Sequence, residues 1–194
     1  MSNVDQKKYE AVVIGASAGG LNAVQIILSA LSDKFSLPVI IVQHQHPASK
    51  ELLVKVLQGI GRIPIREAID KEKITPGVIY IAPADYHLMV ELDRSFALSM
   101  SEPVNYARPS IDVLFETAAE AYRNKLIGII LTGSNYDGSK GLKKIKEFSG
   151  LAIVQDPKSA EVDSMPKAAV REAKPDHIID LEKIGPLLNK IYGS

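Results

Sequence analysis

Short runs of uninterrupted apolar residues alternate along the chain with segments whose apolar residues recur every three to four positions. Ala11-Val12-Val13-Ile14, Leu37-Pro38-Val39-Ile40-Ile41-Val42 and Leu126-Ile127-Gly128-Ile129-Ile130-Leu131 are runs of the first kind. A run that short, with no polar alternation, predicts a strand buried on both faces, as in a parallel sheet covered by helices. Between these runs, Leu21, Val24, Ile27, Leu28 and Leu31 share one helical face, and Ile111, Leu114, Phe115, Ala118, Ala119 and Tyr122 share another. Strand, helix and strand in that order make the neighbouring strands parallel.

Weaker patterns fill the remainder. Ser49 can cap a helix over 51–58 that closes at Gly59 and Gly61, and short strands are predicted at 64–67 and, after the Pro76-Gly77 turn, at 78–82. Leu88 to Leu92 and Phe96 to Met100 flank Asp93-Arg94-Ser95, which predicts a hairpin on the antiparallel edge of the sheet. Pro109 is expected to open the next helix at its first position. A lysine-rich helix over 139–148, a strand at 151–154, a helix at 166–173, a strand at 177–179 and a terminal helix at 182–192 complete the chain. The predicted fold is α/β, a doubly wound, mostly parallel sheet with helices on both faces and an antiparallel edge hairpin, in a single domain.

Composition narrows the function classes. With 194 residues and 46% hydrophobic content the chain can bury one substantial core. Lys plus Arg and Asp plus Glu balance at 23 each, which removes the excess positive charge that nucleic acid or an anionic membrane surface would call for. The chain contains no cysteine, so thiolate catalysis, disulfides and sulfur-built zinc sites are excluded. Met1 to Lys8 is polar and lacks the apolar core of a signal peptide, and the expectation is a cytoplasmic protein without membrane insertion.

The chemistry concentrates after three of the strands. Ile14-Gly15-Ala16-Ser17-Ala18-Gly19-Gly20 is a tight turn between strand and helix, and Ser17 is its one reactive side chain. A hydroxyl there is placed for nucleophilic attack, with free N–H groups at hand to stabilise an oxyanion, although such turns also serve packing or phosphate binding. His44 and Asp137 likewise fall just past the ends of apolar runs. Parallel strands bring their C-terminal ends to one edge, where Ser17, His44 and Asp137 can converge as nucleophile, base and orienting carboxylate. A nucleotide site is disfavoured, because Gly15, Gly19 and Gly20 do not give the G-x-G-x-x-G spacing.

On these residues the chain resembles the catalytic domain of CheB-type protein-glutamate methylesterases, the chemotaxis enzymes that demethylate receptors. Ile14 to Gly20, Val42-Gln43-His44, Pro76 to Pro83, Arg108 to Phe115, and Leu131-Thr132-Gly133 with Asp137-Gly138 carry the resemblance across nearly the whole sequence. It implies a serine hydrolase that removes methyl esters from glutamate side chains through an acyl-enzyme, with glutamine deamidation by the same chemistry. It also implies Ser17 as nucleophile, His44 as base, Asp137 as its carboxylate, and backbone oxyanion donors near Ser134 and Ala18. No cofactor or metal is implied. The implied partners are the cytoplasmic helices of methyl-accepting chemoreceptors and a separate phosphorelay regulator. The alternative is a non-catalytic receptor-docking module of the same fold.

Two departures stand out. Ala18 occupies a position where the family often has threonine, and Ser134-Asn135 replaces the usual Met-Gly. The family's common form also has an N-terminal receiver domain, whereas here the first strand follows Met1 closely, so a single catalytic domain over 1–194 is expected.

Other residues compete for these roles. His46 lies two positions beyond His44 and is the alternative base. His44, His46 and Asp137 could be drawn as a metal site, a reading given little weight. His87 is expected to be a loop or packing residue whose removal leaves turnover near wild type, and His177 to start a peripheral strand. Arg108 is expected to be structural, and Lys140, Lys143, Lys144 and Lys146 to form a solvated helix face.

Overall fold

A computed structural model describes residues 9–44, 52–60 and 62–193. Seven strands form one parallel sheet: β1 (Ala11–Ala16), β2 (Val39–Gln43), β3 (Ile65–Glu67), β4 (Ile79–Ile81), β7 (Leu126–Ile130), β8 (Leu151–Gln155) and β9 (His177–Ile179). Their order across the sheet is β3-β4-β2-β1-β7-β8-β9, which puts β1 between β2 and β7. Every residue of β1, β2 and β7 is buried, as their unbroken apolar runs require.

Successive side chains of each strand enter opposite layers. Ala11 and Val13 join a core with helices α3 (Ile111–Tyr122), α4 (Ser139–Glu147) and α5 (Ser164–Ala173). Val12, Ile14 and Ala16 join the other core, with α1 (Gly20–Ser29), α2 (Leu52–Leu57) and α6 (Leu181–Tyr192). Helices therefore cover both faces, as the sequence predicts.

The hairpin of β5 (His87–Val90) and β6 (Phe96–Ser99) forms with antiparallel register, but among the described residues it is a two-stranded sheet of its own that pairs with no strand of the large sheet. Its buried Leu88, Val90 and Phe96 reach into the α3 side of the core, where Phe96 packs edge-on against Tyr80 at 4.9 Å. Burial of that apolar face, rather than backbone pairing with an edge strand, fixes the hairpin's place. The helix after Pro109 also begins differently from the prediction. Ser110 is the N-cap of α3, and Pro109 lies one residue outside. Among the predicted features, the Ser49 cap, the Gly61 closure and His46 lie outside the described residues.

Candidate active site

The parallel register lines up the ends of the three central strands. Ala16 pairs with Gln43 and Gly15 with Ile130, so Ser17 and His44 follow the ends of adjacent strands and the loop carrying Asp137 follows the third. His44 N–H donates to Ala16 O at 3.0 Å and Ser17 N–H to Thr132 O at 3.0 Å, stitching the three loops where they leave the sheet.

Buried polar side chains beneath these loops hold them in shape. Gln43 Nε2 donates to the carbonyls of Ser17 at 2.8 Å and His44 at 2.9 Å. Thr132 Oγ1 donates to Ala18 O at 2.8 Å and accepts from Val162 N–H at 2.9 Å, while Gln155 Oε1 accepts from Thr132 N–H at 2.9 Å. Each is nearly solvent-free, where an unmet hydrogen bond costs about 1–3 kcal/mol, so the network specifies one loop arrangement. The signal for these residues is a polar side chain at the end of an apolar strand, and attention to the reactive residues beside them passes over it.

His44 and Asp137 meet at 2.9 Å, Nε2 to Oδ2. The nitrogen left to act as base is therefore Nδ1, which has the side-chain amide of Asn135 at 3.5 Å. Asn135 Oδ1 accepts from Asp137 N–H at 3.1 Å, which orients that amide with its nitrogen towards the imidazole. Among the described residues Ser17 Oγ makes no hydrogen bond, so the Ser17–His44 link of the predicted chain is open while the His44–Asp137 link is closed.

Asp137 is wholly buried and saturated with donors. Besides His44, its Oδ2 accepts from Ile111 N–H at 2.6 Å, and its Oδ1 accepts from Ser110 Oγ at 2.8 Å, Asn105 Nδ2 at 2.9 Å and Asp112 N–H at 3.1 Å. The backbone donors are the free N–H groups at the head of α3, whose dipole favours an anion. Burial pushes the Asp137 carboxyl up, but the bonds from His44, Asn105 and Ile111 outweigh it and hold it below the usual carboxylate range.

A second buried carboxylate lies beside the first. Asn105 Nδ2 also donates to Asp112 Oδ2 at 2.8 Å, and Gly141 N–H donates to Asp112 Oδ1 at 2.7 Å. Burial is the main reason that the Asp112 carboxyl is pushed up to about 6, and the Asp137 charge adds to it against the Gly141 and Asn105 bonds. Neither Asn105 nor Ser110 nor Asp112 has a role in the sequence reading. An aspartate inside the apolar stripe of α3 is the anomaly that marks this cluster.

The remaining sequence candidates fall as follows. His87 is a buried packing residue, yet it is tied to the site: Ser110 N–H donates to its Nδ1 at 3.2 Å and its Nε2 faces Glu102 O at 3.1 Å. Through Ser110 it supports Asp137, so the expectation of an indifferent residue is withdrawn. Arg108 donates to the carbonyls of Met100 and Ser101, the structural role expected of it. His177 opens the outermost strand. Lys143, Lys144 and Lys146 pair with Glu172, Glu120 and Asp176 at the surface.

Two glycines are required by the geometry. Gly19, the N-cap of α1, has φ 74°, a left-handed conformation that a side chain resists. At Gly133, a Cβ would come within 2.9 Å of Ser17 Cβ and 2.7 Å of Met165 Cε, so the loop after β7 presses its backbone onto the Ser17 side chain. The N–H groups of Ala18 and Ser134 donate to no acceptor among the described residues, and both residues are exposed at the turn. A cleft of about 410 Å³ opens at His44, with Asn105, Tyr106, Arg108 and Asn135 also in its walls.

A strand-end serine at the same sheet edge as an imidazole clamped to a buried aspartate is the constellation of an acyl-transfer enzyme. A sequence profile described as CheB methylesterase matches residues 12–188. The chain belongs to the CheB methylesterase family. A Leptospira interrogans relative is 51% identical over 183 residues, 94% of this chain and 95% of its own. A relative from Thermotoga maritima, named protein-glutamate methylesterase/protein-glutamine glutaminase, is 36% identical over 89% of this chain and 51% of its own length. The crystal structure of the Thermotoga maritima CheB methylesterase catalytic domain superposes with a TM-score of 0.90 at 35% identity, over 95% of this chain and 99% of that one. The fold read from the sequence is thus the fold of the CheB catalytic domain.

Proposed function

We propose that this member of the CheB methylesterase family hydrolyses methyl esters of glutamate side chains in chemoreceptors, with Ser17 as nucleophile, His44 as base and Asp137 as the carboxylate that orients it. The observation that carries this reading is the His44–Asp137 pair of 2.9 Å at the sheet edge where Ser17 also lies.

His44 Nδ1 takes the Ser17 hydroxyl proton as Oγ attacks the ester carbonyl. The tetrahedral oxyanion is met by the backbone N–H groups of Ser134 and Ala18. Its collapse expels methoxide, which recovers the proton from His44 and leaves as methanol. Water then attacks the acyl-enzyme by the same route and releases the glutamate carboxylate. A neutral amide can enter the same sequence, with ammonia as leaving group, and this is how glutamine deamidation would proceed; relatives at 36% identity are named for both activities.

The chemoreceptor's cytoplasmic helices are the proposed partner, with the cytoplasm as the place of action and a phosphorelay regulator as a separate input. Among the described residues no helix is long and apolar enough to cross a membrane. The test is methanol release from a methylated receptor fragment by the wild type and Ser17→Ala. Full activity in Ser17→Ala would reject the nucleophile and favour a docking module.

A further inference from the structure

The turn at 104–107 faces two ways. Val104 and Ala107 exchange both backbone hydrogen bonds, at 3.1 and 2.9 Å, and leave Asn105 (φ 51°) and Tyr106 (φ 62°) as central residues, both left-handed. That is a tight hairpin turn in which Asn is common and a bulky aromatic is not. Asn105 turns inward and bonds both Asp137 and Asp112. Tyr106 turns outward and is 98% exposed. A tyrosine in a conformation that suits glycine, with its ring wholly in solvent, does nothing for the fold.

Tyr106 nevertheless lines the same cleft as His44. Tyr136, next to Asp137, and Tyr86, next to the cleft residue Asp85, also expose their rings. Tyrosines of this kind make binding surfaces, because a large ring with few rotatable bonds gains contact at little entropic cost.

A glutamate ester dictates what must lie over that rim. Only two methylene groups separate the reacting carbon from the substrate backbone, so a side chain at Ser17 and His44 brings its own polypeptide to the mouth of the cleft. We propose that Tyr106 is a docking residue for the polypeptide segment that flanks the methylated glutamate, held in place relative to His44 by Asn105. This rests on the methylesterase reading above. The ring covers apolar side chains or the stems of basic ones on that segment, and the inward bonds of Asn105 keep the platform from shifting as the substrate lands.

The test compares methanol release from a methylated chemoreceptor fragment with hydrolysis of p-nitrophenyl acetate, for wild type, Tyr106→Asn, Tyr106→Gly and Tyr106→Phe. Asn and Gly suit the left-handed backbone, so both variants should melt at or above the wild-type temperature. Both should raise KM for the receptor about tenfold with kcat within about threefold, and that loss should exceed any on p-nitrophenyl acetate by about the same factor. Tyr106→Phe should restore a KM within about twofold of wild type. An unchanged receptor KM in Tyr106→Asn and Tyr106→Gly would overturn the proposal. So would equal losses on both substrates, which would mean that the residue acts through Asn105. Self-association that Tyr106→Asn abolishes with no change in receptor KM would assign the surface to a second copy of the chain. Failure of the methylesterase reading shows separately, as equal methanol release by wild type and Ser17→Ala, and would remove this proposal with it.

Discussion

His44 is joined to Asp137 through Nε2, the ring nitrogen farther from its backbone, so in the proposed mechanism the proton that Ser17 gives up goes to Nδ1. The imidazole is thus turned round relative to the arrangement in which Nδ1 faces the carboxylate and Nε2 the serine, and the same roles survive the reversal. Ser17→Ala and His44→Ala should each lower kcat on the order of 10³-fold or more with folding intact. Asp137→Asn should keep a measurable remainder. Steady-state methanol release, with circular dichroism as the folding control, checks all three.

Asn105→Ala removes a donor shared by two buried carboxylates. Asp137 keeps its other donors, so the imidazole is loosened rather than released, and kcat should fall about tenfold while receptor KM changes little. Stability in urea should fall by about 1–3 kcal/mol, because two acceptors are left short of a partner in a solvent-free site. A KM effect larger than the kcat effect would count against this role.

Ser110 and His87 act on Asp137 in series. Ser110→Ala should lower kcat several-fold by removing the 2.8 Å bond to Oδ1. His87→Ala leaves a cavity and an unpaired Ser110 N–H, and should cost about 2 kcal/mol or more in urea together with a kcat loss similar to that of Ser110→Ala. The double variant should lose no more kcat than the worse single one, if the two share one route.

Asp112 and Asp137 give stability opposite dependences on pH. The folded Asp112 carboxyl titrates at about 6, above its unfolded value of 3.8, so folding takes up a proton between those two values. Its effect is a loss of stability as pH rises through that window, bounded by about 3 kcal/mol, and no further change above it. Asp137 is depressed, so its contribution is present above the unfolded carboxylate value and is lost as pH falls through the folded one, below the Asp112 window. Urea melts at pH 4.5, 5.5 and 7 should show the Asp112 slope in the wild type, and Asp112→Ala should flatten it. The same slope in both proteins would reject the assignment.

Gly133→Ala places a methyl group against Ser17 Cβ and Met165. One or other must move, and a shift of the Ser17 side chain by about 1 Å should lower kcat by about 10²-fold. Stability should fall less steeply, since Met165 can adapt. Gly133→Ala with wild-type kcat would show that the loop after β7 yields without disturbing Ser17.

The parts of the fold that were legible in the sequence are those with a local cause. β1, β2 and β7 are buried on both faces, so their composition alone marks them, and the reactive residues after them follow from parallel geometry. The hairpin is local too, through Asp93-Arg94-Ser95, but its seat is not: only the packing of Phe96 against Tyr80 and the α3 core decides that it stands clear of the large sheet. Ser17, His44 and Asp137 could be proposed together because each is a reactive residue past the end of an apolar run, Ser17 and His44 directly and Asp137 in the loop after β7. Asn105, Ser110 and His87 could not, since nothing local announces that a turn, a helix cap and a hairpin strand all serve one carboxylate.

 Val12 of β1 pairs with Val39 of β2, 27 positions further along the chain, and with Ile127 of β7, 115 positions further along and reached only after four more strands and α3. On a ribosome, which delivers the chain from its N-terminus, β1 and β2 can therefore pair long before β7 exists. Ser17 and His44 would be side by side early, while Asp137 and the head of α3 arrive only when most of the protein has been made. Hydrolytic power is thereby withheld from every unfinished chain, and enzyme activity reports that the late half of the sheet has closed onto the early half.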